Sequence, residues 1–76
     1  MRGRLTHYPA MQLIVNGDTH QIAGPLTLAQ LVERFGLEPR KVAIERNLEI
    51  VPRSAYAETR LDEGDRLEIV HFVGGG

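Results

Sequence analysis

From Met11 the chain alternates, with Met11, Leu13 and Val15 on one face and Gln12, Ile14 and Asn16 on the other. A period of two reads as a strand. Asn16-Gly17 follows directly and predicts a type I′ hairpin turn, which needs positive φ at both central positions. The return strand is expected over Thr19 to Ala23, with Gly24-Pro25 ending it. The period then changes. Leu28, Leu31, Val32 and Phe35 stand at i, i+3, i+4 and i+7 and make one apolar stripe of a helix. Thr27 and Gln30 have capping-box spacing at its start, and Leu26 can staple onto Leu31. Gly36 suits the left-handed position after its end, with Leu37 supplying the hydrophobic contact that follows.

Pro39 prevents early resumption of helix, and Val42-Ala43-Ile44 opens a third strand that continues to Glu45 and Arg46. Asn47 breaks that strand. Ile50-Val51 make a short fourth strand, stopped by Pro52, and a helical turn is expected near Ser54 to Ala57. Asp62-Glu63-Gly64 predicts a turn, with Gly64 as its permissive residue. The last strand is expected from Asp65 to Val73, with Leu67 and Ile69 inward. The expected core is Leu13, Val15, Leu28, Leu31, Val32, Phe35, Val42, Ile44, Leu67 and Ile69. Strand, strand, helix, strand, short strand, strand predicts an α+β fold, one mixed sheet of four to five strands wrapped on one main helix. The ubiquitin-like β-grasp is its simplest closure.

Length narrows this further. Seventy-six residues suffice for one domain, and a domain that small buries only about 60% of its unfolded surface. The absence of cysteine removes disulfides and thiolate metal sites as supports. An enzyme pocket of a few hundred Å3 also needs more wall than this chain offers. Residues 1–10 show no hydrophobic period and contain Pro9. They read as an N-terminal extension, disordered or vector-derived, with Met11 as the natural start. Residues 11–73 then form the domain and residues 74–76 a flexible tail.

The net charge of −1 conceals an asymmetry. Arg2 and Arg4 lie in the extension, which leaves seven basic against ten acidic residues in the remainder, a body of −3. An acidic body argues against nucleic acid as a partner. No apolar run approaches a membrane span, and the N-terminus lacks the apolar region of a secretory signal. The cysteine-free composition fits the cytoplasm. His7, His20 and His71 are scattered without metal-ligand spacing, so structural or solvated roles are expected and no metal. Ser54, the only serine, has no histidine near it in sequence. Asp62, Glu63 and Asp65 surround a turn and are most simply a solvated loop.

The remaining candidate chemistry is Gly74-Gly75-Gly76, which follows the apolar run Ile69-Val70-His71-Phe72-Val73 with no polar linker. Terminal glycines are often no more than an unstructured end or a cloning scar. Here they would present an unhindered carboxylate at Gly76. A carboxylate becomes an electrophile once its oxygen is made a leaving group, as in an acyl-adenylate. Glycines lack Cβ and let another backbone approach closely, and three extended residues reach about 10 Å beyond Val73. The folded body can stay outside a narrow site while the end reacts.

Several stretches, taken in order, resemble one family. These are the Asn16-Gly17 turn, the helix bearing Leu28 and Leu31, and Val42-Ala43-Ile44-Glu45-Arg46-Asn47. Glu49-Ile50-Val51-Pro52-Arg53-Ser54, Leu61-Asp62-Glu63-Gly64-Asp65 and Glu68 through Gly76 complete the set. Over residues 11–76 the chain is similar to the thiamin-biosynthesis sulfur carriers, the ThiS family; the extension of residues 1–10 departs from that pattern. The resemblance implies a protein cosubstrate and not an enzyme, with no cofactor bound. A ubiquitin-activating-type adenylyltransferase would convert the Gly76 carboxylate to an acyl-adenylate with ATP and magnesium. A sulfur donor enzyme would supply a persulfide to form the thiocarboxylate, and thiazole synthase would take the sulfur for thiamin.

Molybdopterin sulfur carriers share this chemistry, but their tails tend to carry prolines where this one has His71-Phe72-Val73. A ubiquitin-like protein modifier is the other alternative, although Lys41 as the only lysine leaves self-linked chains few attachment points. In a β-grasp sheet, alternation turns Ile14, Val70 and Phe72 toward the open face. With Gly74 and Gly75 they are the expected partner-binding residues. Ordinary scattered surface hydrophobes, or cover from the N-terminal segment, would be the other explanation of that patch.

Overall fold

The two-residue link Asn16-Gly17 folds the first hairpin: φ is +51° and +86° there, the geometry of a type I′ turn. In the computed structural model, which describes residues 10–73, it joins β1 (Ala10–Val15) to β2 (Asp18–Ala23). Val15 lies opposite Asp18 and Ala10 opposite Ala23. Each strand starts one residue earlier than expected, and Ala10 belongs to the sheet and not to an extension. Met1–Pro9 and Gly74–Gly76 lie outside the described residues, as does His7.

Helix α1 (Leu28–Arg34) begins on the predicted capping box. The Gln30 amide donates to Thr27 Oγ1 at 3.2 Å and the Thr27 amide donates to Gln30 Oε1 at 2.8 Å. It ends on Gly36 at φ +74°. There the Leu37 amide donates to the Val32 carbonyl and the Gly36 amide to the Glu33 carbonyl, which satisfies the end carbonyls in a Schellman motif. A 3-10 turn (Pro39–Lys41) leads into β3 (Val42–Arg46), β4 (Glu49–Val51), a second 3-10 helix (Arg53–Glu58) and β5 (Arg66–His71).

The five strands run β2-β1-β5-β3-β4. β1 and β5 are parallel and the other pairs antiparallel. This mixed five-stranded sheet with one main helix is the β-grasp arrangement. The parallel seam holds only two residue pairs, Ile14 with Arg66 and Val15 with Leu67. Asn16 lengthens it with its side chain: Nδ2 donates to the Ile69 carbonyl at 3.2 Å, and Oδ1 accepts from the Ile69 amide at 2.7 Å. The amide group stands in for one more residue of backbone.

The core holds Leu13, Val15, Leu28, Leu31, Val32, Val42, Ile44 and Leu67, as the alternation predicts. Phe35 and Ile69, expected inside, only pack against its edge. Phe35 leans on the His20 ring instead, with centroids 5.3 Å apart. Ile22, Leu26, Tyr56 and Leu61 complete the core. Tyr56 comes from the second 3-10 helix, where a helical turn was expected, and Leu61 from the irregular chain after it. Backbone bonds hold this segment to the helix entry, with Leu61 donating to the Leu26 carbonyl and Leu28 to the Thr59 carbonyl. No described helix is long and apolar enough to cross a membrane.

The last strand is shorter than expected. Its partner β3 starts at Val42, opposite His71, because Pro39 winds the preceding residues into a 3-10 turn. Phe72 makes one further bond, donating its amide to the Lys41 carbonyl at 2.7 Å.

A charged cluster holds the start of β5. Asp65, only 6% exposed, accepts from Arg46 Nε at 2.9 Å, Asn47 Nδ2 at 3.0 Å and the Asp62 amide at 2.8 Å. Arg46 also reaches Asp62 at 3.0 Å. Asn47, at φ +51°, accepts from the Arg66 amide through Oδ1 and donates its own amide to the Arg66 carbonyl. The Asp62–Asp65 turn is therefore not wholly a solvated loop. Burial pushes the Asp65 carboxyl upward, but the Asp62 amide, Asn47 and Arg46 together hold it below its ordinary value near 3.8.

Leu31→Ala removes a fully buried side chain and is expected to cost about 2 to 5 kcal/mol in urea unfolding, the upper end approaching the whole stability of so small a domain. Asp65 carries a pH dependence whose sign follows from its lowered value. Its contribution is complete above the ordinary carboxylate value and is lost as pH falls through the lower folded one. Urea midpoints taken between about pH 5 and pH 2 should therefore fall less steeply for Asp65→Asn than for the parent protein.

Candidate functional site

The site is the end of β5 and the open sheet face beside it. Alternation along β5 places Leu67 in the core and Glu68 and Val70 on the open face. Val70 is 58% exposed, Phe72 50% and Val73 89%. Beyond the Phe72–Lys41 bond the backbone of Val73 has no ladder partner. The chain therefore leaves the sheet through an apolar, solvent-facing stretch. Gly74, Gly75 and Gly76, expected to carry the reactive end, lie outside the described residues.

Ile50 of β4 joins this surface, 68% exposed, although alternation against Val51 was the only sequence signal for it. With Ala43, Ile44, Glu45, Glu68 and Val70 it lines a shallow groove of about 330 Å3. Ile14 takes no part in it. That residue is half-buried and pairs with Arg66, four residues before Val70 on β5, or roughly 13 Å along the strand. The structure thus brings Val70 toward Ile50 and leaves Ile14 near the other end of the strand. The β3–β4 hairpin adds Leu48, 83% exposed at φ +74°, a left-handed conformation that disfavours a branched residue without a nearby constraint. Asn47 supplies the constraint through its bonds to Asp65 and Arg66.

Apart from the Arg46–Asp62–Asp65 cluster, which braces the fold, the ion pairs among the described residues include only Lys41–Glu38. Among the described residues no three His, Asp or Glu side chains come close enough to hold a metal ion. His20 packs on Phe35, and His71 and Ser54 are exposed on separate elements. Burial pushes the Tyr56 hydroxyl up, against the opposing charge of Arg53, but that ring is core packing. What the side chains present is an exposed apolar surface around Ile50, Val70 and Phe72.

Comparison with known proteins bears on what this surface is for. The ThiS family pattern matches residues 13–76, from β1 through the terminal glycines. The chain belongs to the ThiS family. The ThiS thiamine biosynthesis protein of Geobacter metallireducens has the same fold, with a TM-score of 0.74 at 32% identity over 87% of this chain and 100% of that one. The sulfur carrier protein ThiS of Bacillus subtilis is 46% identical over 50 residues, 66% of this chain and 76% of that protein. A thiazole synthase of Paramagnetospirillum magneticum is 48% identical over 66 residues, 87% of this chain. The chain spans about a fifth (20%) of that protein's length, and the same share of a thiazole synthase of Magnetococcus marinus. The ThiS pattern leaves out residues 1–12 and includes Gly74–Gly76.

In this ThiS-family chain, Phe72→Ala should shift thermal stability little, by about 0.5 kcal/mol or less, because the ring is half exposed beyond the last ladder pair. It should weaken complex formation with a partner that takes the tail by at least about fivefold, the loss expected of a contacting aromatic. Calorimetry checks the second point and a melting curve the first.

Proposed function

We propose that the chain is a sulfur carrier of thiamin biosynthesis, acting in the cytoplasm as a cosubstrate and not as an enzyme. The observation that carries this reading is the ThiS family match over residues 13–76, which takes in the glycines after β5. The apolar exit of β5 supports it, since a partner that binds Val70 and Phe72 is placed to receive the next residues.

In this reading the Gly76 carboxylate attacks the α-phosphorus of ATP, bound with magnesium by a ubiquitin-activating-type adenylyltransferase, and pyrophosphate leaves. A persulfide from a sulfur donor enzyme then attacks the acyl carbon, and AMP departs. Cleavage of the resulting sulfur–sulfur bond by a thiol leaves the Gly76 thiocarboxylate. Thiazole synthase accepts that sulfur. The carrier supplies reach and a docking face, and its partner supplies the ATP site. Gly74 and Gly75 serve the threading step, because residues without Cβ fit a narrow, water-excluding channel.

Intact-mass measurement with the adenylyltransferase, ATP and a sulfur source tests the proposal. The parent chain should exchange one oxygen for one sulfur at Gly76. Deleting Gly76, or adding one residue after it, should abolish that gain with melting temperature unchanged. Gly75→Val should fold normally but react slowly. Full-rate sulfur gain by the extended chain would place the reactive group elsewhere and end the carrier reading. A lysine adduct would mark a protein modifier, and sulfur delivery only to a molybdopterin-forming enzyme would mark the other carrier class.

A further inference from the structure

The open face holds a charge arrangement that the fold itself does not need. Glu45 on β3 lies directly opposite Glu68 on β5. Residues so paired turn their side chains to the same face, with Cβ atoms roughly 5 Å apart, and like charges in that relation destabilise a sheet. Among the described residues neither carboxylate forms an ion pair. Arg66 projects from the same side of β5 but pairs with neither. Glutamate is also a poor strand former. Local stability would favour an opposite-charge or β-branched pair at these positions.

The surroundings are apolar. Ile50 lies opposite Glu45 on β4, and Val70 follows Glu68 by two residues on β5. With Ala43 they make the groove a greasy channel with two acids across it. That combination fits a long side chain ending in a cation, whose stem lies on Ile50 and Val70 while its head meets both carboxylates. Arginine suits it best, because its planar fork donates to two carboxylates at once. The groove includes Val70, two residues before Phe72, so a protein occupant would also lie beside the residues that lead into the tail.

We propose that this occupant is a thiazole synthase, which seats an arginine or lysine between Glu45 and Glu68. The proposal rests on the carrier reading above. Of the two large partners in that reading, the synthase is the one to which similar segments are found joined: they make up a fifth (20%) of the thiazole synthases of Paramagnetospirillum magneticum and Magnetococcus marinus. A segment carried within the same chain as its acceptor has a standing contact to make with it.

The test is calorimetry of the full chain and of E45Q/E68Q with the thiazole synthase of the same organism, at low and high salt, beside the adenylyltransferase assay. The double variant should bind the synthase at least tenfold more weakly and lose most of the salt dependence that the parent shows. Its loss with the synthase should exceed any loss with the adenylyltransferase by a similar factor. Its melting temperature should be equal or higher, since the like-charge pair is gone. Equal affinity and equal salt dependence in the two proteins would overturn the proposal, as would a loss confined to the adenylyltransferase. The two readings fail separately. Normal sulfur gain with charge-independent synthase binding removes the docking proposal alone. Glutamate-dependent synthase binding by a chain that never gains sulfur supports the docking and removes the carrier reading alone.

Discussion

The whole architecture depends on a parallel seam only two residue pairs long, between strands from opposite ends of the described chain. Parallel pairing needs a crossover connection, and here everything from β2 to the Asp62–Asp65 turn is that connection. Its helix lies across the sheet because it has to return the chain to β1. The seam is short; one asparagine extends it, and a second holds β5 from its other side. Asn16 continues the ladder toward Ile69, and Asn47 ties the β3–β4 turn to Arg66 and Asp65. Both sit at positive φ, which asparagine tolerates better than most residues. In each case one residue turns the chain and supplies an amide that behaves as backbone.

Much of this was legible because it is local. The Asn16-Gly17 turn, the Thr27–Gln30 box and the Gly36 end are each decided within a few residues, and the structure forms all of them. The β-grasp arrangement followed from the order of elements, since one helix can cover only one face of one sheet. The misses are all non-local. The helical turn around Tyr56 was expected but its burial was not, and Leu61 sits in chain without a period; both become core because the Leu26 carbonyl and the helix entry hold that segment inward. Leu48 gave no sequence signal, and its left-handed backbone depends on Asn47 being held by Asp65 and Arg66.

The exposed apolar face shows the same division. Val70 and Phe72 could be read from alternation on a single strand. Ile14 could not be separated from them without the β1–β5 register, which places it opposite Arg66 and far from the tail. The facing of Glu45 and Glu68 is likewise a register fact, because they stand 23 positions apart in the sequence. Asp65 belongs to the same class: an acid in an acidic turn by sequence, it becomes the buried acceptor of three donors once β3 arrives beside it.

The width of β4 has a further consequence. A sheet edge is a row of unused amides and carbonyls, and a long flat edge invites another chain to add itself. Here the outer strand on the tail side is three residues long, starts on Glu49 and is cut off by Pro52. An incoming strand would find too few bonding positions to hold. On this side the truncated strand guards against self-association by leaving almost no edge on which a filament could grow.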